Sequence, residues 1–262
     1  MGGTVTSVQV WPVKSLGGPG PVPLAAADGR GLVGDRAHAL LDLRPGRDAT
    51  LLTVRECPRM LRWVASYGPD SRADPGSPPE PVLVAPAGRS WRWSEPGLAA
   101  ALSEDLARPV GLARDTGGLQ DLGRSVLVTT VASHAAVAGA RDGPLDSDRW
   151  RTNLHLDLDA PAFAEAAWEG CRLQVGEVVL RLLHPCGRCT IPTWPPGGGA
   201  RDPGLLAYLL AERGGAFGIN ARVEVPGVLR PGDVAELLVD GRAAPLPAPH
   251  RRRHPRAGVP AG

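Results

Sequence analysis

The sequence predicts a mostly β protein with some helix, an α+β fold in which an N-terminal β-barrel-like domain precedes a second β-barrel with short helices. Three observations support this prediction. Short apolar runs of strand length recur about every 8–12 residues between Gly- and Pro-rich turns, which is typical of barrels. No alternating strand–helix pattern indicates a Rossmann-type sheet. A chain of 262 residues is long enough for one large domain or two modest ones with a sizeable core.

In the first half of the chain, local patterns predict each element. Residues 4–13, "TVTSVQVWPV", alternate apolar and polar residues as a half-buried strand does. A Gly/Pro loop leads to a strand at "AHALLDL", and residues 50–67 begin as a strand and become helical after Pro58. "VLVAPAGRSWRW" predicts a hairpin, and residues 94–110 predict a helix with Ser94 as its cap.

The second half alternates strands with short helices. "SVLVTTVASHAAVAGA" predicts a buried strand and then a helix that Ser133 caps. "TNLHLDL" predicts a strand, "PAFAEAAW" a short acidic helix, and "RLQVGEVVLRLLHP" a hairpin with its turn at "VGE". "DPGLLAYLLAER" predicts a helix with Asp202 as N-cap and Pro203 in the first helical position. "GINARVEVPGVLRPGDVAELLV" predicts the closing strands.

The composition excludes several classes of function. A formal net charge of only +2 gives no case for nucleic acid as a partner. The sequence contains no run of about 18 apolar residues, the length needed to span a membrane, and the N-terminus lacks the pattern of a signal peptide. Four cysteines are too few for a disulfide scaffold. We therefore expect a cytoplasmic protein that binds neither nucleic acid nor a membrane.

Lysine usage singles out one position. Lysine and arginine together number 29, yet only Lys14 is a lysine. The bias towards Arg, Ala, Gly and Pro is typical of a high-GC bacterial genome that replaces lysine wherever arginine serves. Because a compact ammonium and a planar guanidinium are not interchangeable in a tight anion site, Lys14 is a candidate functional residue. The alternative is that Lys14 is a chance survivor at an exposed position and has no functional role.

Cys186 and Cys189 form a Cys-x-x-Cys pair that fits several chemistries. A structural zinc site needs a second ligand pair, and neither the other two cysteines nor any histidine has that spacing. A thioredoxin-like dithiol needs a helix after the first cysteine, and the prolines of "CTIPTWPPGGG" oppose one. A single thiolate ligand for a soft or high-valent metal remains, favoured by Arg188 beside Cys189. Two half-buried residues at a strand end are the structural alternative.

Other segments supply donors for an anionic ligand. "VKS" pairs Lys14 with the hydroxyl of Ser15 in a Gly-rich loop, and "GDR" places Arg36 in a turn. "DRWRTN" adds Arg149, Arg151 and Asn153 before a strand. A multiply charged phosphate or pterin-type ligand needs such cations from several loops, together with backbone N–H groups.

Taken together, these motifs resemble proteins with a MOSC N-terminal β-barrel domain followed by a MOSC (molybdenum cofactor sulfurase C-terminal) domain, among them the amidoxime-reducing, molybdenum-dependent N-reductases. The motifs in register over residues 5–240 are "VWPVKSLGG", "GLVGDRAHALLD", "LLTVRECPRM", "DRWRTNLHLD", "PAFAEAAWEG", "LQVGEVVLRLLHPCGRCTIPT" and "LLAYLLAER" with "AFGINARVEVPGVLRPGDVAEL". The resemblance implies a MOSC N-terminal domain at 1–112, a MOSC domain at 113–242 and a disordered basic tail at 243–262.

The resemblance also implies a site. Cys189 would be the catalytic residue and the thiolate ligand of molybdenum in a molybdopterin cofactor, with Cys186 a neighbour. The residues implied to hold the pterin and its phosphate are Lys14, Ser15, Arg36, Arg151, Asn153 and Arg188. The resemblance implies the same role for Thr129.

The implied activity is two-electron reduction of small N-hydroxylated, amidoxime-type or N-oxide substrates. Because the sequence holds no haem, flavin or iron–sulfur pattern, electrons would come from a separate redox protein carrying one of those groups. The alternative is a cofactor carrier or sulfur-transfer module without reductase activity of its own. The sequence departs from the family where an acidic turn normally follows the cysteine, since "IPTWPPGGG" has no acid, and where Trp150 and Thr152 replace Phe and Pro.

Overall fold

The computed structural model describes residues 1–18, 20–68, 79–114, 125–141 and 143–238. The predicted basic tail at 243–262 lies outside the described residues. Within the described ranges the chain forms sixteen strands, three α-helices and four 3₁₀ helices.

The strands of the first half are β1 (Gly2–Val8), β2 (Ala25–Asp28), β3 (Gly31–Leu32), β4 (His38–Asp42), β5 (Thr50–Leu51), β6 (Val64–Ser66), β7 (Val82–Val84), β8 (Ser90–Arg92) and β9 (Val110–Arg114). Those of the second half are β10 (Val126–Thr130), β11 (Leu154–Leu158), β12 (Arg172–Val175), β13 (Val178–Gly187), β14 (Ala216–Val225), β15 (Gly227–Leu229) and β16 (Val234–Leu238). The helices are α1 (Leu98–Leu106), α2 (Val131–Ala140) and α3 (Pro203–Arg213), with 3₁₀ helices at Pro58–Arg62, Ser147–Trp150, Ala164–Ala167 and Ile191–Thr193.

Seven strands close into a barrel in the order β1-β11-β10-β14-β13-β12-β16. Neighbours are antiparallel except β10 and β11, which are parallel. Apolar side chains fill the barrel, among them Val5, Val128, Leu156, Leu180 and Ile219, which are at most 2% exposed. The predicted fold class, mostly β with short helices, is confirmed.

The N-terminal strand lies in this barrel, although the sequence prediction assigned it to a first domain ending at residue 112. β1 pairs with β11 on one side and with β16 on the other. The other described strands before residue 115 lie in three three-stranded sheets, β15-β2-β3, β5-β4-β9 and β6-β7-β8, instead of a closed N-terminal barrel. Because a barrel leaves no strand edge unpaired, β1 is needed to fill the gap between β11 and β16. Sequence segments on both sides of residue 112 therefore share one sheet.

Several local predictions are confirmed. The hairpins at "VLVAPAGRSWRW" and "RLQVGEVVLRLLHP" are the antiparallel pairs β7–β8 and β12–β13. Asp202 is the N-cap of α3, Pro203 begins it, and Gly214 ends it with a left-handed φ of 59°. The Asp202 carboxylate accepts a hydrogen bond from Arg141 Nη2 at 3.1 Å and does not cap the helix with its side chain.

Two helix caps differ from the prediction. α1 has Gly97, not Ser94, at its N-cap, and the Ser94 backbone N–H donates to Glu80 Oε1 at 2.7 Å. α2 is capped by Thr130, whose Oγ1 accepts from the Ser133 backbone N–H at 3.2 Å. Ser133 lies one turn later, since the strand β10 continues directly into the helix.

The acidic segment "PAFAEAAW" supports the start of α2. Glu165 is 1% exposed, and its Oε2 accepts hydrogen bonds from Ser133 Oγ at 2.8 Å and Thr130 Oγ1 at 3.3 Å. Burial raises the pKa of this carboxyl. Its place beside the first turn of α2 makes it a structural element of the fold. None of the helices in the described ranges is long and apolar enough to cross a membrane.

Candidate functional site

At one end of the barrel, where β13 ends and β11 begins, the protein encloses a cavity of about 240 Å³. Its walls come from segments far apart in the sequence, and the lining side chains include Arg36, Arg55, Ser125, Leu127, Trp150, Arg151, Asn153, Cys186, Arg188, Cys189, Ile191 and Asn220. Four of these are arginines, and none of the described residues that line the cavity is acidic. The cavity therefore suits an anionic ligand.

Both cysteines of the Cys-x-x-Cys pair line this cavity as free thiols. Cys186 lies in β13, and Cys189 follows the end of that strand. The sequence led us to expect the Arg188 guanidinium at Cys189, but Nη1 of Arg188 donates to Sγ of Cys186 at 3.3 Å, and Nη2 donates to the Trp150 carbonyl at 2.7 Å. Because side chains two residues apart in extended chain point to the same side, Arg188 reaches Cys186 and not its immediate neighbour.

Arg36 and Arg151 are held in place by the protein itself. Nη1 of Arg36 pairs with the Asp35 carboxylate, and its Nη2 donates to the Arg151 carbonyl at 3.0 Å. Nη1 of Arg151 donates to the Leu16 carbonyl at 2.5 Å, and its guanidinium lies 4.3 Å from the centroid of the Trp11 ring. Both arginines have a left-handed φ, 49° and 53° respectively. This network fixes the positions of both guanidinium groups before a ligand binds, and the charge of Arg36 is paired with Asp35.

Asn153 lines the same cavity, but its side chain is engaged by the protein. Nδ2 donates to the Gln9 carbonyl at 3.1 Å, and Oδ1 accepts from the Leu127 backbone N–H at 3.0 Å and from Arg36 Nη1 at 3.4 Å. The residue is 1% exposed. Asn153 therefore joins the segment after β1 to β10 and positions Arg36.

Lys14 and Ser15 are not among the residues that line the cavity. The Lys14 backbone N–H donates to the His38 carbonyl at 2.8 Å, and Ser15 is 3% exposed with a left-handed φ of 68°. The neighbouring carbonyls of Val13 and Leu16 both accept from the Arg151 guanidinium. The Lys14–Ser15 segment is thus tied to the cavity wall through Arg151.

Thr129 is fully buried and does not line the cavity, and its hydroxyl contacts His134. Its Oγ1 lies 3.2 Å from Thr152 Oγ1 and 2.9 Å from His134 Nε2. The His134 ring lies 4.2 Å from that of His155 and 6.0 Å from that of Trp150, a cavity-lining residue. The structure therefore does not bring the predicted ligand residue Thr129 into the lining.

The histidine pair gives a pH-dependent stability. Burial, and then the charges of His155 and Arg188, lower the pKa of His134 from 6.5 to about 3, and burial also lowers the pKa of His155. Both rings are neutral in the folded protein, while the unfolded chain takes up protons below about pH 6.5. The stabilising contribution of His134 is complete above that pH and is lost as the pH falls towards 3, by at most about 1.4 kcal/mol per pH unit, and His155 adds a loss in the same direction.

We expect His134→Gln to lose less of its free energy of unfolding at acid pH than the wild type does, because glutamine can hydrogen-bond to Thr129 and does not titrate. Urea unfolding at pH 7 and at pH 4.5 measures the loss for the wild type and the variant. His184→Gln, at an exposed histidine, is the matched control and should behave as the wild type does. An equal loss in wild type and His134→Gln would contradict the assignment.

The structure adds cavity residues that the sequence analysis missed. Arg55, Ser125 and Asn220 line the cavity, and Asn220 is 3% exposed. Asn220 could have been found from the stretch "AFGINARV", because an amide side chain is unusual within a buried apolar strand. Nothing in the sequence distinguishes Arg55, because it is one exposed arginine among many.

The residues of the cavity fit a phosphate-bearing molybdopterin. Nε of Arg188 and Nδ2 of Asn220 are buried and have no hydrogen-bond partner among the described residues. Each such donor costs about 1–3 kcal/mol unless a ligand accepts its hydrogen bond. Phosphate and pterin groups offer acceptors, and the thiol of Cys189 is the soft ligand that a molybdenum centre prefers. A zinc site has less support, since no group of three His, Cys, Asp or Glu side chains in the described ranges could hold a metal.

Residues 115–236 match the family described as MOSC domain, and the chain contains a MOSC domain over these residues. The matched range includes Cys189, Arg188, Arg151 and Asn153. MOSC domains are associated in general with molybdenum cofactor binding.

Three solved structures with similarity to the chain are YuaD, YiiM and a hypothetical protein. YuaD from Bacillus subtilis is 12% identical with a TM-score of 0.48, and the match covers 90% of this chain and 96% of that one. YiiM from Geobacillus stearothermophilus is 16% identical with a TM-score of 0.36, covering 45% and 56%. A hypothetical protein is 16% identical with a TM-score of 0.33, covering 44% and 51%. No curated protein matches the sequence.

Proposed function

We propose that the protein is a molybdenum-cofactor-dependent N-reductase. The observation that carries the proposal is the convergence of Cys189 with Arg36, Arg151 and Arg188 in one cavity that no acidic residue lines in the described part of the chain. The MOSC domain supports a molybdenum cofactor as the ligand. Reduction of N-hydroxylated substrates as the specific activity is inferred from the motifs that resemble the amidoxime-reducing proteins.

In this proposal, the thiolate of Cys189 would ligate the metal, and the arginines would bind the phosphate and the pterin. Arg36 and Arg151 are already oriented by their bonds to Asp35 and Leu16, so binding costs little further ordering of their side chains. When bound, the cofactor would supply two-electron reduction of an N–O bond, with the oxygen leaving as water. Because each turnover consumes two electrons, a separate flavin, iron–sulfur or haem protein would serve as donor.

A second cavity of about 120 Å³ adjoins the first and offers room for a small substrate. Arg151 and Ile191 line both cavities, while Trp11 and Trp194 line the smaller one. The loop "IPTWPPGGG", which lacks the acid of the family pattern, contributes Trp194, Pro196 and Gly197 to its wall. An aromatic N-hydroxylated substrate would find apolar contacts there.

Benzamidoxime reduction with an artificial electron donor tests the activity. Protein made in a host that synthesises the cofactor should convert benzamidoxime to benzamidine, and the same protein made in a cofactor-deficient host should not. Bound molybdenum without turnover would contradict the reductase and favour the carrier or sulfur-transfer alternative.

Lys14→Arg is expected to lower cofactor content by about fivefold or more, because a planar fork replaces a compact ammonium. The Lys14 backbone N–H donates to the His38 carbonyl, which ties this segment to β4. Molybdenum per chain is the measurement, and Arg230→Lys, at an exposed position, is the control for exchange of the two cations. Normal molybdenum content in Lys14→Arg would mean that lysine has no special role.

A further inference from the structure

Asn220 occupies an unusual position for an amide. It lies in the middle of β14, where it is opposite Leu127 of β10. Its neighbours Ile219 and Ala221 are both fully buried and belong to the barrel core. Since side chains alternate along a strand, Asn220 points away from that core, and it lines the cavity beside Cys189.

The hydrogen bonds of Asn220 leave one donor available. Ser125 Oγ donates to Oδ1 at 3.2 Å, and this bond sets the orientation of the amide. Nδ2 is buried and has no partner among the described residues. An unsatisfied amide at 3% exposure destabilises the ligand-free protein by about 1–3 kcal/mol, so an apolar residue would serve the fold better.

The cavity around this donor accepts only certain ligands. Arg55, Arg151 and Arg188 supply positive charge, the charge of Arg36 is paired with the Asp35 carboxylate, and none of the described lining residues is acidic. Nε of Arg188 is a second buried donor without a partner. A ligand that satisfies both donors must present acceptor oxygens and carry negative charge, which are the properties of a phosphate ester or anhydride.

We propose that Asn220 is a ligand-binding residue whose Nδ2 donates a hydrogen bond to an anionic phosphate-type oxygen in the cavity. Ser125 orients the amide through Oδ1, and the arginines supply the charge. The identity of that ligand as the molybdopterin cofactor rests on the proposed function, but the chemical class of the ligand does not. The hydrogen bond from Nδ2 to the bound ligand offsets the free-energy cost of burying this amide.

Binding of inorganic pyrophosphate to protein from a cofactor-deficient host tests this inference. Asn220→Asp keeps the shape but replaces the Nδ2 donor by a carboxylate oxygen, and we expect pyrophosphate to bind at least about tenfold more weakly by calorimetry. Gln174→Glu makes the same change of charge at an exposed position on β12 and should leave the affinity unchanged. Equal affinity of Asn220→Asp and the wild type would overturn the inference.

Asn220→Leu separates ligand binding from a structural role. We expect it to unfold at an equal or higher urea concentration than the wild type when no ligand is present, because it removes an unsatisfied donor. Its pyrophosphate affinity should nevertheless fall about tenfold. A variant that loses stability and keeps its affinity would show that the amide is structural. Wild-type protein that binds pyrophosphate but never molybdenum would refute the proposed function and leave this inference intact.

Discussion

Cys189→Ser is expected to lose nearly all molybdenum, to below about one tenth of the wild-type content, and with it the reduction of benzamidoxime. A hydroxyl is a hard and rarely ionised group, whereas a thiolate is the soft ligand that a molybdenum centre needs from the protein. Both cysteines line the cavity, so the two thiols compete for this role. The Sγ of Cys186 accepts a hydrogen bond from Arg188, whereas the choice of Cys189 as the metal ligand rests on the motifs that resemble the family.

Cys186→Ser is the matched control, because it makes the same change three residues away in the same cavity. It should keep at least about half of the molybdenum, since a serine Oγ can still accept from Arg188. Metal analysis of both variants, with urea unfolding to verify the fold, decides between the two thiols. Loss of metal in Cys186→Ser with retention in Cys189→Ser would reverse the assignment.

Asn153→Leu is expected to cost about 3–5 kcal/mol in the free energy of unfolding. The substitution leaves the buried Gln9 carbonyl and the Leu127 backbone N–H without the partners that Asn153 supplies, and it frees Arg36 from one contact. Urea unfolding measures the effect.

Asn220→Leu is the informative comparison, since it is the same substitution at the only other asparagine of the sequence. There the side-chain donor has no partner, so the expected change in stability is zero or favourable. A loss below about 1 kcal/mol in Asn153→Leu would contradict the structural role of Asn153.

The parts of the fold that the sequence predicted depend on local chemistry. The β12–β13 hairpin follows from alternating residues around "VGE", and α3 follows from Asp202 and Pro203. Closure of the barrel was not predictable in this way. β1 pairs with β11 about 150 residues later, and no residue of β1 specifies that partner. The cap of α2 was missed because Thr130 ends a strand and begins a helix at once.

For the candidate site, too, the sequence predicted some features and the structure was needed for others. Residue type and motif were sufficient to bring Cys189, Arg36 and Arg151 into one prediction, and the structure places all three at one cavity. Individual roles depend on side-chain geometry that no motif contains. Arg188 contacts Cys186, Asn153 is satisfied by backbone groups, and Asn220 acquires its importance from a donor without a partner.

Elemental and pterin analysis of the wild-type protein, purified from a host that synthesises the cofactor, tests the central claim most directly. The cavity of arginines, buried donors and Cys189 predicts molybdenum and pterin in equal amounts, approaching about one of each per chain. Zinc alone, or protein that contains neither molybdenum nor pterin after expression in such a host, would contradict it.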